Sequence, residues 1–468
     1  MDIVRILLPL ALAAYFLWRA RANRLFLLGI PFLQMMGYSV FFEMARPFWM
    51  PARLGQLGAM MLWIVIAWLY ITGVVFPGKR MQRSRSVFGP PLRLPEEGFV
   101  LALAAMVFLQ IIATWVSGVD AFEVVSQATG LICAFVGYFL VRGSVHQMQK
   151  EAVASFLKAL VFVTVLAAML FIIHQGLHVS VYALPEHFTF VFEGTVLTRS
   201  FLFMPPLLIF AGAWLMARRR IGLSVALGLV TIAAAVVTSY TRILIAAFLV
   251  ELCAVFLLTW ARSTKLGLPF IGRFARWTVV AVVLVTALAI VLPVGTRYAF
   301  SRVGPVANVL DVAAQGTFQG RAQKTTLVAG SLRGYDLVLG GGFRRIIGGL
   351  SAEVLETWSA DVGWIQVLYR LGLLGLTLLG GMFATSAVRA VRLALSDDPW
   401  WSEWGVTWLA ALVGSMTAIL ASWSFLWPTQ MPLAFWMLAF VAACRPTTVL
   451  RRRPRTEDHM GTPVVYDE

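Results

Sequence analysis

A chain of 468 residues that is 60% hydrophobic and only 13% charged is far from a soluble-domain composition, and its many long apolar runs place it among polytopic helical membrane proteins. Its net charge of +16 comes from 38 lysines and arginines against 22 acidic residues, so the side on which that excess gathers becomes readable. Cys133, Cys253 and Cys444 all lie in apolar runs, which excludes a disulfide framework and a cysteine metal site.

In chain order, apolar windows of spanning length centre near residues 11, 33, 65, 107, 131, 163, 208, 229, 250, 285, 374, 414 and 436. They predict an all-α, polytopic transmembrane helical bundle of about thirteen spans, or twelve if the first pair forms a hairpin or re-entrant element. The first run, Ile6 to Trp18, is expected to be a retained span, because only Arg5, set against Asp2, stands before it and another apolar run follows closely.

Basic clusters occupy every second junction: Arg19 to Arg24, Lys79 to Arg93, Arg142 to Lys150, Arg218 to Arg220, Arg262 to Arg276, Arg389 to Arg392 and Arg445 to Arg455. They hold 24 of the 38 lysines and arginines, which marks these junctions and the C-terminus as cytoplasmic. The other junctions then face outward: Arg46, Asp120, the stretch Gln175 to Arg199, the corner at Thr241-Arg242, and the long loop Val294 to Ala360. The tail from Arg451 to Glu468 is charged, proline-containing and poor in apolar residues, a composition expected of a disordered end.

Within the first outer stretch, His174 and His178 stand four apart, followed by Glu186, His187 and Glu193. No further ligand follows at a defined spacing, so acceptor binding is expected there and no metal. At the corner Thr238-Ser239-Tyr240-Thr241-Arg242 an arginine opens the apolar span Ile243 to Trp260, either as a snorkelling anchor or as an anion ligand.

The long outer loop carries seven basic residues (Arg297, Arg302, Arg321, Lys324, Arg333, Arg344, Arg345) against four acidic ones (Asp311, Asp336, Glu353, Glu356). These cations either meet lipid headgroups or form a site for an anionic, lipid-linked substrate, for which the bidentate arginine fork suits a diphosphate. Residues Gly320 to Leu332 have helix-forming character with Leu327, Val328 and Leu332 on one face, which would put Arg321 in the first turn. Gly340-Gly341-Gly342 reads as backbone bending or close approach. Asp361 precedes the next span, where it serves either as a helix cap or as a general base, with Glu353 and Glu356 in reserve. Arg370, inside that span, is expected to face the bundle interior and meet a partner.

The order of these features, Arg242 at a span start, the basic turn Arg262 to Arg276, Arg321 before a loop helix, Gly340 to Gly342, then a span holding Gly372 and Gly375, resembles the O-antigen ligase and polysaccharide polymerase superfamily. The likeness runs from roughly residue 199 to residue 376 and rests on order and spacing rather than on long identical strings. It implies a bundle resembling GT-C-like glycosyltransferases, with N-terminal spans and an acceptor-side loop in 1–198, the ligase/polymerase-like region in 199–445 and a cytoplasmic tail in 446–468.

The resemblance further implies an inverting, metal-independent transfer of a glycan from an undecaprenyl diphosphate carrier to a sugar hydroxyl, at the periplasmic face of a bacterial inner membrane. Arg242 and Arg321 would hold the diphosphate, Lys324, Arg199, Arg344 and Arg345 would assist in binding, and Asp361 would act as base. Where the ligases have histidine and asparagine, this chain has Asp361-Val362, which is closer to the repeat-unit polymerases. The partners implied are the lipid-linked donor, a saccharide acceptor, membrane lipids and other polysaccharide assembly and export proteins, with no cofactor and no nucleic acid. Ligase, transporter and non-catalytic assembly subunit stand as alternatives.

Overall fold

The computed structural model describes residues 2–23, 25–30, 64–66, 95–147, 150–177, 189–192, 195–198, 205–218, 222–239, 242–266, 316–344, 346–347, 350–351, 363–421 and 431–443. Among these the helices are α1 (Asp2–Ala20), α2 (Pro95–Val116), α3 (Ala121–Gln147), α4 (Lys150–Leu177), α5 (Pro205–Ala217), α6 (Leu223–Thr238), α7 (Arg242–Leu266), α8 (Gly316–Ser331), α9 (Tyr335–Leu339), α10 (Gly363–Ala394), α11 (Pro399–Ala421) and α12 (Met431–Ala443). The described residues are helical as expected, apart from two small antiparallel hairpins. Strand β1 (Thr189–Phe192) pairs with β2 (Thr195–Thr198), and β3 (Ile346–Ile347) with β4 (Leu350–Ser351).

The first hairpin answers to its sequence, since two β-branched and aromatic tetrads flank Glu193-Gly194, a two-residue link that favours strand reversal. Ten of the thirteen expected span centres fall within these twelve helices, and residue 65 lies in the short helical piece 64–66. The centres near 33 and 285, and all but residues 64–66 of the third span, lie outside the described residues, as does the tail 446–468. Five described helices, Glu96–Val116, Gln127–Val145, Lys150–Ile173, Ile243–Leu266 and Gly363–Ala394, are long and apolar enough to cross a membrane.

One end of the bundle collects residues from several of the basic clusters. Arg142 on α3 and Arg389 on α10 meet the buried Glu97 and Glu96 in the first turn of α2, the second pair at 2.6 Å. The turn between α10 and α11 draws in others: Lys150 lies 3.2 Å from Asp398, Arg262 donates to the carbonyls of Ser396 and Asp397, and Lys265 donates to Leu395. Arg218 pairs with Glu403 at 3.0 Å and sits 4.0 Å over the Trp214 ring. Four junctions spread from residue 142 to residue 398 thus share one rim with the start of α2, the pattern that alternating basic clusters demand.

Asp398 also starts α11. Its Oδ1 accepts from the Trp400 amide at 2.8 Å and Pro399 takes the first helical position, where no N–H is missed. Desolvation pushes its carboxyl up, but the Trp400 amide, the Lys150 ammonium and the Trp401 amide together outweigh that and hold it below the usual aspartate value. Between the rims the core is aromatic and small. Phe210, Trp408 and Trp404 stack in series, Phe440 stacks on Trp408, and Gly405 lets α11 lie against the backbone of Leu393 and Ala394.

Candidate functional site

The end opposite the rim is built around a break in α10. Gly372 has φ 65° and ψ −171°, so the helix hydrogen-bond ladder stops there and resumes beyond it. The carbonyls freed by the break find partners in the glycine turn that precedes α10 in sequence. Gly341 N–H donates to Tyr369 O at 2.8 Å and Gly342 N–H to Arg370 O at 3.0 Å. This backbone-to-backbone clasp requires glycine on both sides. Gly340 has φ 77°, and a Cβ on it would overlap the Arg370 carbonyl and the Gly372 amide; a Cβ on Gly372 would overlap the Val338 carbonyl and the Gly340 amide.

Side chains from α2 and α3 close the arrangement. Gln110 Nε2 donates to the carbonyls of Leu339 and Arg370, the latter at 3.2 Å, so one amide bridges loop and broken helix. Thr114 Oγ1 donates to Gln110 O at 2.7 Å and accepts from the Phe343 amide at 3.4 Å. Arg370 is buried in the bundle, as expected, with its Nη1 donating to Gly342 O and to Gln127 Oε1, each at 3.0 Å. Gln127 in turn donates to Glu123 Oε1 at 3.4 Å, and the guanidinium lies 5.1 Å from the Tyr369 ring centroid. The bonds satisfy Arg370 inside the protein, which is what makes an arginine tolerable at this depth.

Against the outer part of α10 lies α8, the loop helix. Val328 and Leu332 are buried against Ile365, Leu368 and Tyr369, so the helix carrying Arg321 and Lys324 is docked directly on the turn of α10 that follows residue 362. Two sequence expectations need correction here. The helix begins at Gly316 rather than Gly320, which moves Arg321 out of the first turn and removes the argument that it and the orphan N-terminal amides share one anion. Leu327 is 55% exposed, because the docked face is set by the i, i+4 pair Val328 and Leu332 and position 327 falls beside it.

The other expected site residues are placed as follows. Arg242 opens α7 immediately after the buried Thr238 and Ser239, at the end away from the rim, since Arg262 and Lys265 at the far end of that helix reach the α10–α11 turn. Arg344 is described in full and is committed locally: it pairs with Asp336 on α9 and its Nε donates to Gly341 O at 2.9 Å. It therefore braces the glycine turn. Asp361, Arg199 and Arg345 lie outside the described residues, as do Glu353 and Glu356.

Sequence reasoning passed over Gln110, Thr114 and Gln127, whose only signal is an uncharged polar side chain inside an apolar run. It also passed over Glu251 on α7. That carboxyl is fully buried, neither oxygen has a hydrogen-bond partner among the described residues, and it sits where Gly212 of α5 and Gly414 of α11 leave space. A lone acid in an otherwise apolar run from Ile243 to Trp260 was the available signal. No group of three histidine, cysteine or acidic side chains placed to hold a metal occurs among the described residues. No protein-family model and no curated protein matches this chain.

Proposed function

We propose that the chain is a bacterial inner-membrane glycosyltransferase that polymerises a surface polysaccharide, moving a glycan from an undecaprenyl diphosphate carrier to a sugar hydroxyl on the outer face. Asp361 takes the hydroxyl proton, the acceptor oxygen bonds to the anomeric carbon, and the carbon–oxygen bond to the diphosphate breaks with inversion. Arg242 and Arg321 stabilise the charge that develops on the leaving diphosphate, with Lys324, Arg199 and Arg345 extending the basic surface. Arg344 acts mainly by bracing the glycine turn through Asp336.

The observation that carries this reading is the docking of α8 on Ile365, Leu368 and Tyr369. It brings the segment bearing Arg321 and Lys324 next to the helix start that Asp361 precedes, although some forty residues separate them in the chain.

The test is chain growth by purified protein on a lipid-linked oligosaccharide, with products resolved by size. A ladder is expected from the parent, and Arg321→Ala should slow it on the order of a hundredfold or more. Asp361→Asn, which can still cap a helix, should be inactive while remaining folded. Near-parental growth in both variants at equal abundance overturns the assignment, and a single transfer to a lipid A–core acceptor would make the protein a ligase.

One observation favours a transporter as second reading. A discontinuous helix at Gly372 beside the buried Arg370 is how many transporters build a substrate site. Donor-dependent flux into vesicles without any new glycosidic bond would select it.

A further inference from the structure

A cavity of about 440 Å³ opens at the basic rim, between the first turn of α2 and the last turns of α10. Its walls divide by chemistry: Ala384, Val388 and Leu393 are apolar, while Arg389, Arg392, Thr385 and Glu96 are polar. We propose that this cavity binds an anionic phospholipid of the membrane leaflet at the rim, with the headgroup phosphate on Arg392 and Arg389 and an acyl chain along Ala384 and Val388.

Three features point to that occupant. The cavity faces the bilayer side of the bundle, since Val388 is 52% exposed and Ala384 is exposed beside it on the same helix face. The charge at its mouth is net positive: Glu96 accounts for Arg389, whose Nε lies 2.6 Å from Oε1 though its N–H does not point along a hydrogen-bond line, and Arg392 is left exposed. Among the described residues no hydrogen bond engages the Nη atoms of Arg389 or any guanidinium nitrogen of Arg392, so donors in the fork geometry that fits phosphate remain open. The position also fits. Counting 17 residues from Gly372 to Arg389 at 1.5 Å each puts the cavity roughly 25 Å along α10 from the clasp, at the rim where the basic side chains gather.

A zwitterionic lipid offers the same tail with no net charge, and a free phosphate offers the charge with no tail. The two controls separate the halves of the site.

The experiment measures lipid retained by the full-length protein purified in detergent after equilibration with phosphatidylglycerol or phosphatidylcholine, by mass spectrometry of the intact complex. The parent should retain phosphatidylglycerol preferentially, and Arg392→Ala should lower that retention about fivefold, the worth of one cation at an anionic headgroup. Arg21→Ala, which removes an exposed charge just after α1, where Asn23 donates to Ala152 O close to the rim residue Lys150, should leave it unchanged. A thermal-unfolding comparison with phosphatidylglycerol added supplies a second readout, expected to show stabilisation in the parent and in Arg21→Ala but not in Arg392→Ala. Equal retention of both lipids, equal retention in the parent and Arg392→Ala, or displacement by inorganic phosphate alone would each overturn the proposal.

Discussion

The two ends of this bundle are held by different physics. At the rim, long cationic side chains reach carboxylates and carbonyls: Lys150 and Asp398, Arg218 and Glu403, Arg262 and the 396–397 turn. At the other end, two stretches of bare backbone meet, glycine against glycine, and the Arg370 guanidinium buried there bonds to a backbone carbonyl and a neutral amide. Flexible side chains can re-form a contact after a change, and a backbone clasp cannot. The rim should therefore tolerate substitution where the clasp does not.

Gly372→Ala is the sharpest way to break that contrast. Alanine at φ 65° is strained, and its methyl would overlap the Val338 carbonyl, so the clasp should open at a cost on the order of 3 kcal/mol. Thermal unfolding in detergent measures it, and a melting temperature unchanged from the parent would show that the clasp carries no weight.

Arg370→Met comes next. It preserves apolar bulk but leaves the Gly342 carbonyl and Gln127 amide oxygen without their donor, an expected loss of about 2 kcal/mol. Arg370→Lys should recover part of this, because one ammonium can still reach one acceptor.

The smallest effects belong to the rim. Asp398→Asn can keep the cap on Trp400 but loses the exposed Lys150 pair, and should move stability by no more than about 1 kcal/mol. Because the Asp398 carboxyl is held below its ordinary value of 3.8, its contribution is complete above that pH and disappears as pH falls through the folded-state value. Unfolding followed as a function of pH should therefore show the parent and Asp398→Asn converging in acid and differing at neutrality. A constant offset would place the effect elsewhere.

Sidedness tests the comparison as a whole. A reporter fused after Arg220 or Arg392 should be cytoplasmic, and one inserted near Gln315 should be outside. A cytoplasmic Gln315 would put rim and clasp on reversed sides and end the proposed site.

The rim was legible in the sequence because charge has one meaning beside a membrane. Arg142, Lys150, Arg218, Arg262 and Arg389 could be assigned to one side without knowing any contact. The clasp was only half legible. Gly340 to Gly342 announced a close approach, but Gly372 looks like any small residue in an apolar run, and its bridging partner Gln110 lies about 260 residues earlier in the chain. The extent of α8 was misjudged for a related reason: Gly316 and Gly320 are poor helix formers in isolation, and packing against α10 supplies what propensity does not. Glu251 was overlooked because one acid among apolar neighbours does not disturb a span of this hydropathy.

The break at Gly372 also has a consequence for biosynthesis. Helix α10 leaves the ribosome after α2, α3 and the glycine turn, and its freed carbonyls at residues 369 and 370 accept from groups already made: the Gly341 and Gly342 amides and the Gln110 side chain. Unpaired carbonyls are costly in hydrocarbon, so the nascent span is under pressure to meet a finished receptor as it enters the bilayer. Co-translational order thus becomes part of the design, and a circular permutant that makes α10 first would have to insert a broken helix with nothing to complete it.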